Sequence, residues 1–255
     1  GTGKTPLIKQ IRKKHRARVC AFTGKAAHVL TTKGVNASTI HRLIYKPAFE
    51  CSKCKKRVES CRCKKAAIVT VWVREPNLNT KLVIVDEASM VNRDLLRDLE
   101  AFHGVQVLYV GDHGQLEPIG DDPGIMADPE IRLEKIHRQA AGSPIIQFAH
   151  HVREGGEPKS FGENASVYTG APGDLTKYDA ILCGYNATRV ALNYRKREQL
   201  GHKGDLPEVG ERVICLRNDK ETGIFNGMQA KGTKSDAKRE RMNSEDDAGN
   251  EIGDL

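Results

Sequence analysis

Short apolar runs alternate along the chain with longer stretches whose apolar residues recur at helical spacing, which predicts an α/β fold with a parallel sheet. RVCAF (18–22), KLVIVDE (81–87) and VQVLYVGD (105–112) read as strands. KLVIVDE is apolar at successive positions, as a strand covered on both faces must be. Helices are predicted over GKAAHVLTTKG (24–34), STIHRLI (38–44) and MVNRDLLRDLEAF (90–102), after a basic amphipathic stretch at 7–16. Residues 113–130, rich in Gly, Pro and Asp, mark a boundary. Beyond it the pattern predicts a helix at 143–155, a strand at 178–186 (YDAILCGYN), a helix at 187–201 and a hairpin from 210–219 and 222–229. From about residue 231 the chain is polar and charged, with too little apolar surface to order itself, so a disordered tail is expected over 231–255.

Charge changes the picture more than size does. The chain has 255 residues, and Lys and Arg outnumber Asp and Glu to give a formal net charge of +8. A basic balance favours polyanionic partners, because each phosphate neutralised releases counterions; a solvated basic surface is the plainer reading. The excess concentrates at 9–18 (KQIRKKHRAR) and 53–65 (KCKKRVESCRCKK). No apolar run is long enough for a membrane span and no signal peptide is legible, so a cytoplasmic protein without membrane partners is expected, of a bacterial cell or a phage-infected host.

The chemistry begins at residue 1. GTGKT (Gly1, Thr2, Gly3, Lys4, Thr5) matches the last five positions of the phosphate-loop pattern G-x-x-x-x-G-K-[ST], whose first glycine falls before the chain starts. A flexible terminus is the alternative. KLVIVDEAS then delivers Asp86 and Glu87 at the end of a buried strand. In phosphate-loop enzymes such an Asp holds Mg2+ jointly with the loop Thr, and the next Glu positions and deprotonates the attacking water. Capping of the following helix is the competing explanation. VLYVGDHGQLEPIG (107–120) again ends an apolar strand in polar groups, and an amide such as Gln115 just past that edge can hydrogen-bond a γ-phosphate. Taken alone, GDHGQ also reads as a turn.

Seven cysteines divide into two groups. Cys20, Cys183 and Cys215 sit inside apolar runs and are expected to be buried. Cys51, Cys54, Cys61 and Cys63 have the spacing C-x2-C-x6-C-x-C, which can close a tetrahedral Zn2+ site; unliganded thiols and disulfides are the alternatives.

Taken in order, these blocks resemble a superfamily 1 DNA helicase of the RecD/Dda-like group. GTGKT resembles motif I, FTGKAAHVL with ASTIHRLIY motif Ia, VIVDEASMV motif II, GDHGQLEPIG motif III and LEKIHRQ motif IV. ILCGYNATRVALNYRKR and GERVICLRNDKETGIFNGMQ resemble segments of the second motor domain. The resemblance implies two RecA-like phosphate-loop NTPase domains, the second incomplete, with a small zinc-binding β-hairpin insertion in the first. The expected boundaries are 1–125 for the first domain, 46–80 for the inserted strand-separating pin and 126–230 for the partial second domain. It further implies ATP, Mg2+ and Zn2+ as cofactors, movement from 5′ to 3′, and single-stranded DNA and the duplex fork as partners of a monomeric motor, with replication or recombination proteins alongside.

By position, Lys4, Glu87, Gln115 and Arg138 would be catalytic, with Arg138 reaching the γ-phosphate from the second domain. Thr23, Lys25, Thr39 and His41 would face DNA, although a structural histidine is an alternative for His41. Phe22 and Glu117 stand where many relatives have proline, and nothing matches the late motifs V and VI, so a fragment truncated at both ends, with little unwinding of its own, is expected. Two further readings stay open: an ATPase subunit of an exonuclease V-like nuclease complex, and a zinc-bearing nucleic-acid-binding module with a vestigial ATPase. In the insert, Phe49 or Trp72 would stack on bases; core packing is the alternative for Trp72.

Overall fold

Four parallel strands form the first sheet: β1 (Arg18–Ala21), β2 (Ala37–Thr39), β5 (Leu82–Asp86) and β6 (Gln106–Val110), in the order β2-β1-β5-β6. The computed structural model describes residues 2–64, 67–133, 142–170, 172–204, 206–216, 224, 226–236, 241–246 and 251–254, those beyond 233 by backbone alone. Gly1 and Arg138, both expected in the site, lie outside the described residues.

Both faces of this sheet are covered, and the period-2 alternation of its strands explains how. Cys20, Val83 and Val85 point into one core with Leu43 and Ile44 of α3 (Ile40–Ile44) and Leu95 and Leu99 of α4 (Arg93–Glu100). Val19, Ala21 and Ile84 point into the other, with Ile8 of α1 (Lys4–His15) and Ala27 and Leu30 of α2 (Gly24–Thr32). Each fully buried Ile, Leu or Val contributes about 1.5–3 kcal/mol, so β5, apolar on both faces, anchors the unit. Helix starts follow local chemistry: the side chains of Thr23, Thr39 and Asn92 cap α2, α3 and α4, accepting from the N–H groups of Ala26, Arg42 and Leu95.

Register decides where the strand ends fall. Thr39 pairs with Ala21, Ala21 with Asp86, and Asp86 with Val110, so one row crosses the whole sheet at its C-terminal edge. Every loop leaving that row carries candidate site residues, which is where ligands bind in open parallel sheets.

A separate antiparallel arm, β3 (Tyr45–Cys51) with β4 (Ile68–Arg74), rises from the unit over a seven-residue register from Tyr45↔Arg74 to Cys51↔Ile68. Among the described strands β3 and β4 pair only with each other, and Glu50 of β3 also bridges Arg57. Trp72 is 60% exposed, so it does not pack in a core as the alternative reading held.

The chain divides into two compact units, 1–156 and 157–255. Composition places a boundary near 125, but Ile125 and Met126 pack against the first core, and Arg153 at the end of α5 (Pro144–Arg153) pairs with Asp112. The second unit contains α6 (Asn186–Gln199) and an antiparallel sheet in the order β10-β9-β8-β7. Its strands are β7 (Arg212–Ile214), β8 (Gln229–Asp236), β9 (Arg241–Asp246) and β10 (Glu251–Asp254). Arg197 of α6 is clamped at Glu211 by two bonds of 2.8 and 3.0 Å, and also donates to the carbonyls of Gly204 and Leu206.

Three expectations are corrected here. YDAILCGYN forms no strand: Leu182 is 95% exposed and Cys183 is exposed rather than buried. A strand needs a hydrogen-bonded neighbour, and β7–β10 pair among themselves. The tail after 231 is not free of structure, because β8–β10 lie in it. Ladder bonds join backbone groups, so a polar segment can enter a sheet without an apolar core of its own. Among the described residues this unit has no parallel sheet.

Candidate functional site

The phosphate-loop residues begin α1. Gly3 takes a left-handed backbone (φ 88) at the N-cap, a conformation that a side chain would strain, and Lys4 and Thr5 occupy the first turn. The free N–H groups and positive dipole end of a twelve-residue helix make a ready anion site. Four basic residues in the last turn, Arg12 to His15, suit its other end.

Asp86 ends β5 beside this helix start. Burial pushes its carboxyl above the ordinary range, while the Glu87 N–H, 3.0 Å from its Oδ1, and the Lys4 and Lys33 charges pull the other way. A carboxylate partly withdrawn from water near the Lys4 charge, with the Thr5 hydroxyl on the first turn of α1, supplies the hard oxygen donors that Mg2+ prefers.

Glu87 sits in the left-handed region (φ 54), an arrangement that typically costs about 1–2 kcal/mol in a non-glycine residue. Its carboxylate accepts a 3.2 Å hydrogen bond from the Thr23 hydroxyl. The same hydroxyl oxygen accepts from the Ala26 N–H at 3.1 Å, so Thr23 both starts α2 and orients Glu87. Sequence reasoning assigned Thr23 only to DNA; its partner lies 64 residues away, which no local pattern discloses. Thr23→Val is expected to cost about 1 kcal/mol of stability through the lost cap. Where Glu87 serves as the base that the sequence resemblance implies, loss of its Thr23 hydrogen bond is expected to lower kcat of ATP hydrolysis about tenfold with little change in KM. Thr23→Ser should restore both, and steady-state ATP hydrolysis checks it; an undiminished kcat in Thr23→Val removes the positioning role.

Gln115 lies beyond β6. Ser89 donates to its Oε1 at 3.3 Å, which leaves the Gln115 NH2 to donate elsewhere. The approach depends on Gly111, where a Cβ would stand 2.5 Å from Met126 Sδ and 3.1 Å from the Ser89 nitrogen. Asp112 was not singled out in the sequence. Burial raises its pKa, but the Gly114 N–H, Arg153 at 3.4 Å and Lys4 outweigh it and hold the carboxyl below its ordinary range. The GD-x-x-QL block pointed to its neighbourhood; nothing local pointed to Arg153.

The residues expected to face DNA share the same sheet edge. Lys25 and His41 are exposed, the latter 5.5 Å from the Tyr45 ring, while Thr23 and Thr39 are half-buried caps. The fold also brings together the sulfurs of Cys51, Cys54, Cys61 and Cys63, all within 4.8 Å of one another at the end of the β3–β4 arm.

A parallel sheet whose C-terminal edge gathers a Gly-Lys-Thr helix start, an Asp-Glu pair and a polar third strand end defines a phosphate-loop nucleotide-binding protein. The chain belongs to the AAA domain family, which matches residues 1–169. It is 35% identical to the ATP-dependent RecD2 DNA helicase of Deinococcus radiodurans over 94% of this chain and 36% of that protein, and so spans about a third of that relative's length. In fold it is similar to Bacteroides Pif1 bound to ssDNA, with a TM-score of 0.57, 21% identity and coverage of 99% of this chain and 68% of that one. Pif1 helicase from Candida albicans is similar with a TM-score of 0.53, 20% identity and coverage of 99% and 71%. Among the described residues no helix is long and apolar enough to cross a membrane.

Proposed function

We propose that the chain is the motor of an ATP-dependent DNA helicase that moves 5′ to 3′ on single-stranded DNA. The observation that carries this reading is the row Thr39–Ala21–Asp86–Val110, from whose end Glu87, Gln115 and the DNA-facing residues leave, with Lys4 of α1 beside Asp86. Lys4 and Thr5 bind the β- and γ-phosphates of ATP against the positive end of α1, and Thr5 with Asp86 holds Mg2+. When bound, Mg2+ draws negative charge from the transferring phosphoryl group. Glu87 orients the attacking water and takes its proton, and Gln115 donates to the γ-phosphate. Arg138 acts on the same phosphate, and Thr39 and His41 with Lys25 contact the DNA backbone without reading sequence.

Thr23 gives this reading a physical link between track and chemistry. It stands at the edge proposed to meet DNA and holds the carboxylate proposed to activate water, so a strand that shifts α2 shifts Glu87. The gathering of Lys4, Asp86, Glu87 and Gln115 at one edge speaks against a vestigial ATPase. In the full-length gene product, ATP hydrolysis is expected to rise at least about tenfold with single-stranded DNA, and forks with a 5′ tail are expected to be unwound in preference to those with a 3′ tail. Hydrolysis indifferent to DNA would sink the motor reading, and unwinding only from 3′ tails would reverse the polarity.

A further inference from the structure

The four cysteines of the β3–β4 arm take no part in ATP chemistry, yet the fold carries them to one point. Cys51 closes β3 and the chain turns back at once: the Lys55 N–H donates to the Cys51 carbonyl and the Cys51 N–H to the Lys56 carbonyl, both at 2.9 Å. Lys55 takes a left-handed backbone (φ 58) within this turn. A single 3₁₀ turn, Val58–Ser60, then delivers Cys61, and the Cys63 N–H lies 3.3 Å from the Cys61 sulfur.

Two distances separate the possible states of this cluster. Cys54 and Cys61 Sγ are 3.6 Å apart, and all seven cysteines of the chain are free. A disulfide needs about 2.05 Å. The edge of a tetrahedron with zinc–sulfur bonds of about 2.3 Å is about 3.8 Å. Four mutually adjacent sulfurs also differ from two disulfide pairs, which would segregate. A set of four soft donors with no oxygen or nitrogen selects zinc over the Mg2+ of the nucleotide site.

Composition supplies an independent reason for a metal. Between Ser52 and Lys64 the one apolar residue besides cysteine is Val58, which is half-buried, so hydrophobic burial cannot order the tip. The same segment exposes Lys53, Lys55, Lys56, Arg57, Arg62 and Lys64, none in an ion pair among the described residues. Six exposed cations against one carboxylate, Glu59, repel one another at a tip without a core, and a zinc tetrathiolate, with a net charge of about −2, offsets part of that repulsion. Below the tip, the pairs Phe49↔Thr70, Pro47↔Trp72 and Cys51↔Ile68 lie on one face, where Phe49, Trp72 and Ile68 are 49%, 60% and 63% exposed.

We propose that Cys51, Cys54, Cys61 and Cys63 bind one Zn2+ as a structural tetrathiolate that shapes the arm's tip into a contact for single-stranded nucleic acid. The exposed cations meet phosphates and the Phe49–Trp72 face meets bases, the combination that single-strand binders use. The nucleic-acid contact rests on the motor reading; the metal site does not, and it is read without ATP or DNA. The chain purified without chelator is expected to carry about one zinc per molecule by elemental analysis, and cobalt exchange should give the visible bands of a tetrahedral thiolate site. Cys51→Ser with Cys54→Ser should lose the zinc, while Cys183→Ser with Cys215→Ser keeps it. A chain without metal, whose four thiols react freely before any chelation and which takes up no cobalt, overturns the site whether or not the serine variant folds.

The contact is tested with fluorescent oligothymidine across a salt series. Lys55→Glu with Arg62→Glu, which spares all four ligands, should weaken binding at least about tenfold and reduce the salt slope by about one per cation removed. Unchanged affinity and slope in a variant that retains its zinc overturn the nucleic-acid half.

Discussion

A Glu87→Gln chain is expected to bind ATP as before and to hydrolyse it about 10²–10⁴-fold more slowly, the usual worth of a positioned general base. The amide matches the carboxylate in shape, tolerates the same left-handed backbone and can still accept the Thr23 hydroxyl hydrogen, so the surroundings of residue 87 need not move. What disappears is the lone pair proposed to take a proton from water. Binding of a fluorescent ATP analogue and single-turnover hydrolysis separate the two effects. Turnover at the original rate would show that the proton goes elsewhere and would remove Glu87 from its proposed role.

Replacing Lys4 by alanine is expected to weaken ATP binding about 10–10²-fold, as loss of a charge-assisted phosphate contact does. The lysine also acts on both carboxylates of the site. It is among the charges that counter the burial of Asp86, and it helps hold Asp112 ionised, so its removal raises the pKa of each. The Asp86 carboxyl, already above its ordinary range through burial, would then take up a proton more readily and offer Mg2+ a poorer ligand. Lys4→Arg should not rescue binding, because a planar fork does not replace a compact ammonium at the start of a helix. Nucleotide titration of the three chains decides it; equal affinities would mean that the phosphates lie away from α1.

The third strand end shows how far local signals reach. GDHGQLEPIG marked a polar edge and Gln115 within it, because an apolar strand that ends in polar residues is visible in composition alone. The Ser89 hydroxyl that orients Gln115 and the Arg153 guanidinium that pairs with Asp112 come from other elements, and no periodicity announces them. The cysteine insert behaves the same way. Spacing named the four residues, but only the turn at Lys55 and the 3₁₀ turn at 58–60 carry their sulfurs within 4.8 Å.

Where the sequence reading failed, it failed at partnership. YDAILCGYN has the apolar pattern of a strand and no strand beside it, whereas the polar segment after 231 has ladder partners and forms strands. By itself the sequence determined β1, β5 and β6 and the helices packed on them, since burial on two faces of a sheet imposes a pattern along each element, whereas β2 at 37–39 overlaps a stretch read as helix from 38. It also determined the chemistry offered at their ends: Gly-Lys-Thr, Asp-Glu, Gln and four thiols. Tertiary structure decided which of these meet. The register that sets Ala21 beside Asp86, and the bond from Thr23 to Glu87 across 64 residues, arise from pairing between strands, and the energy of a pair belongs to neither partner's local sequence.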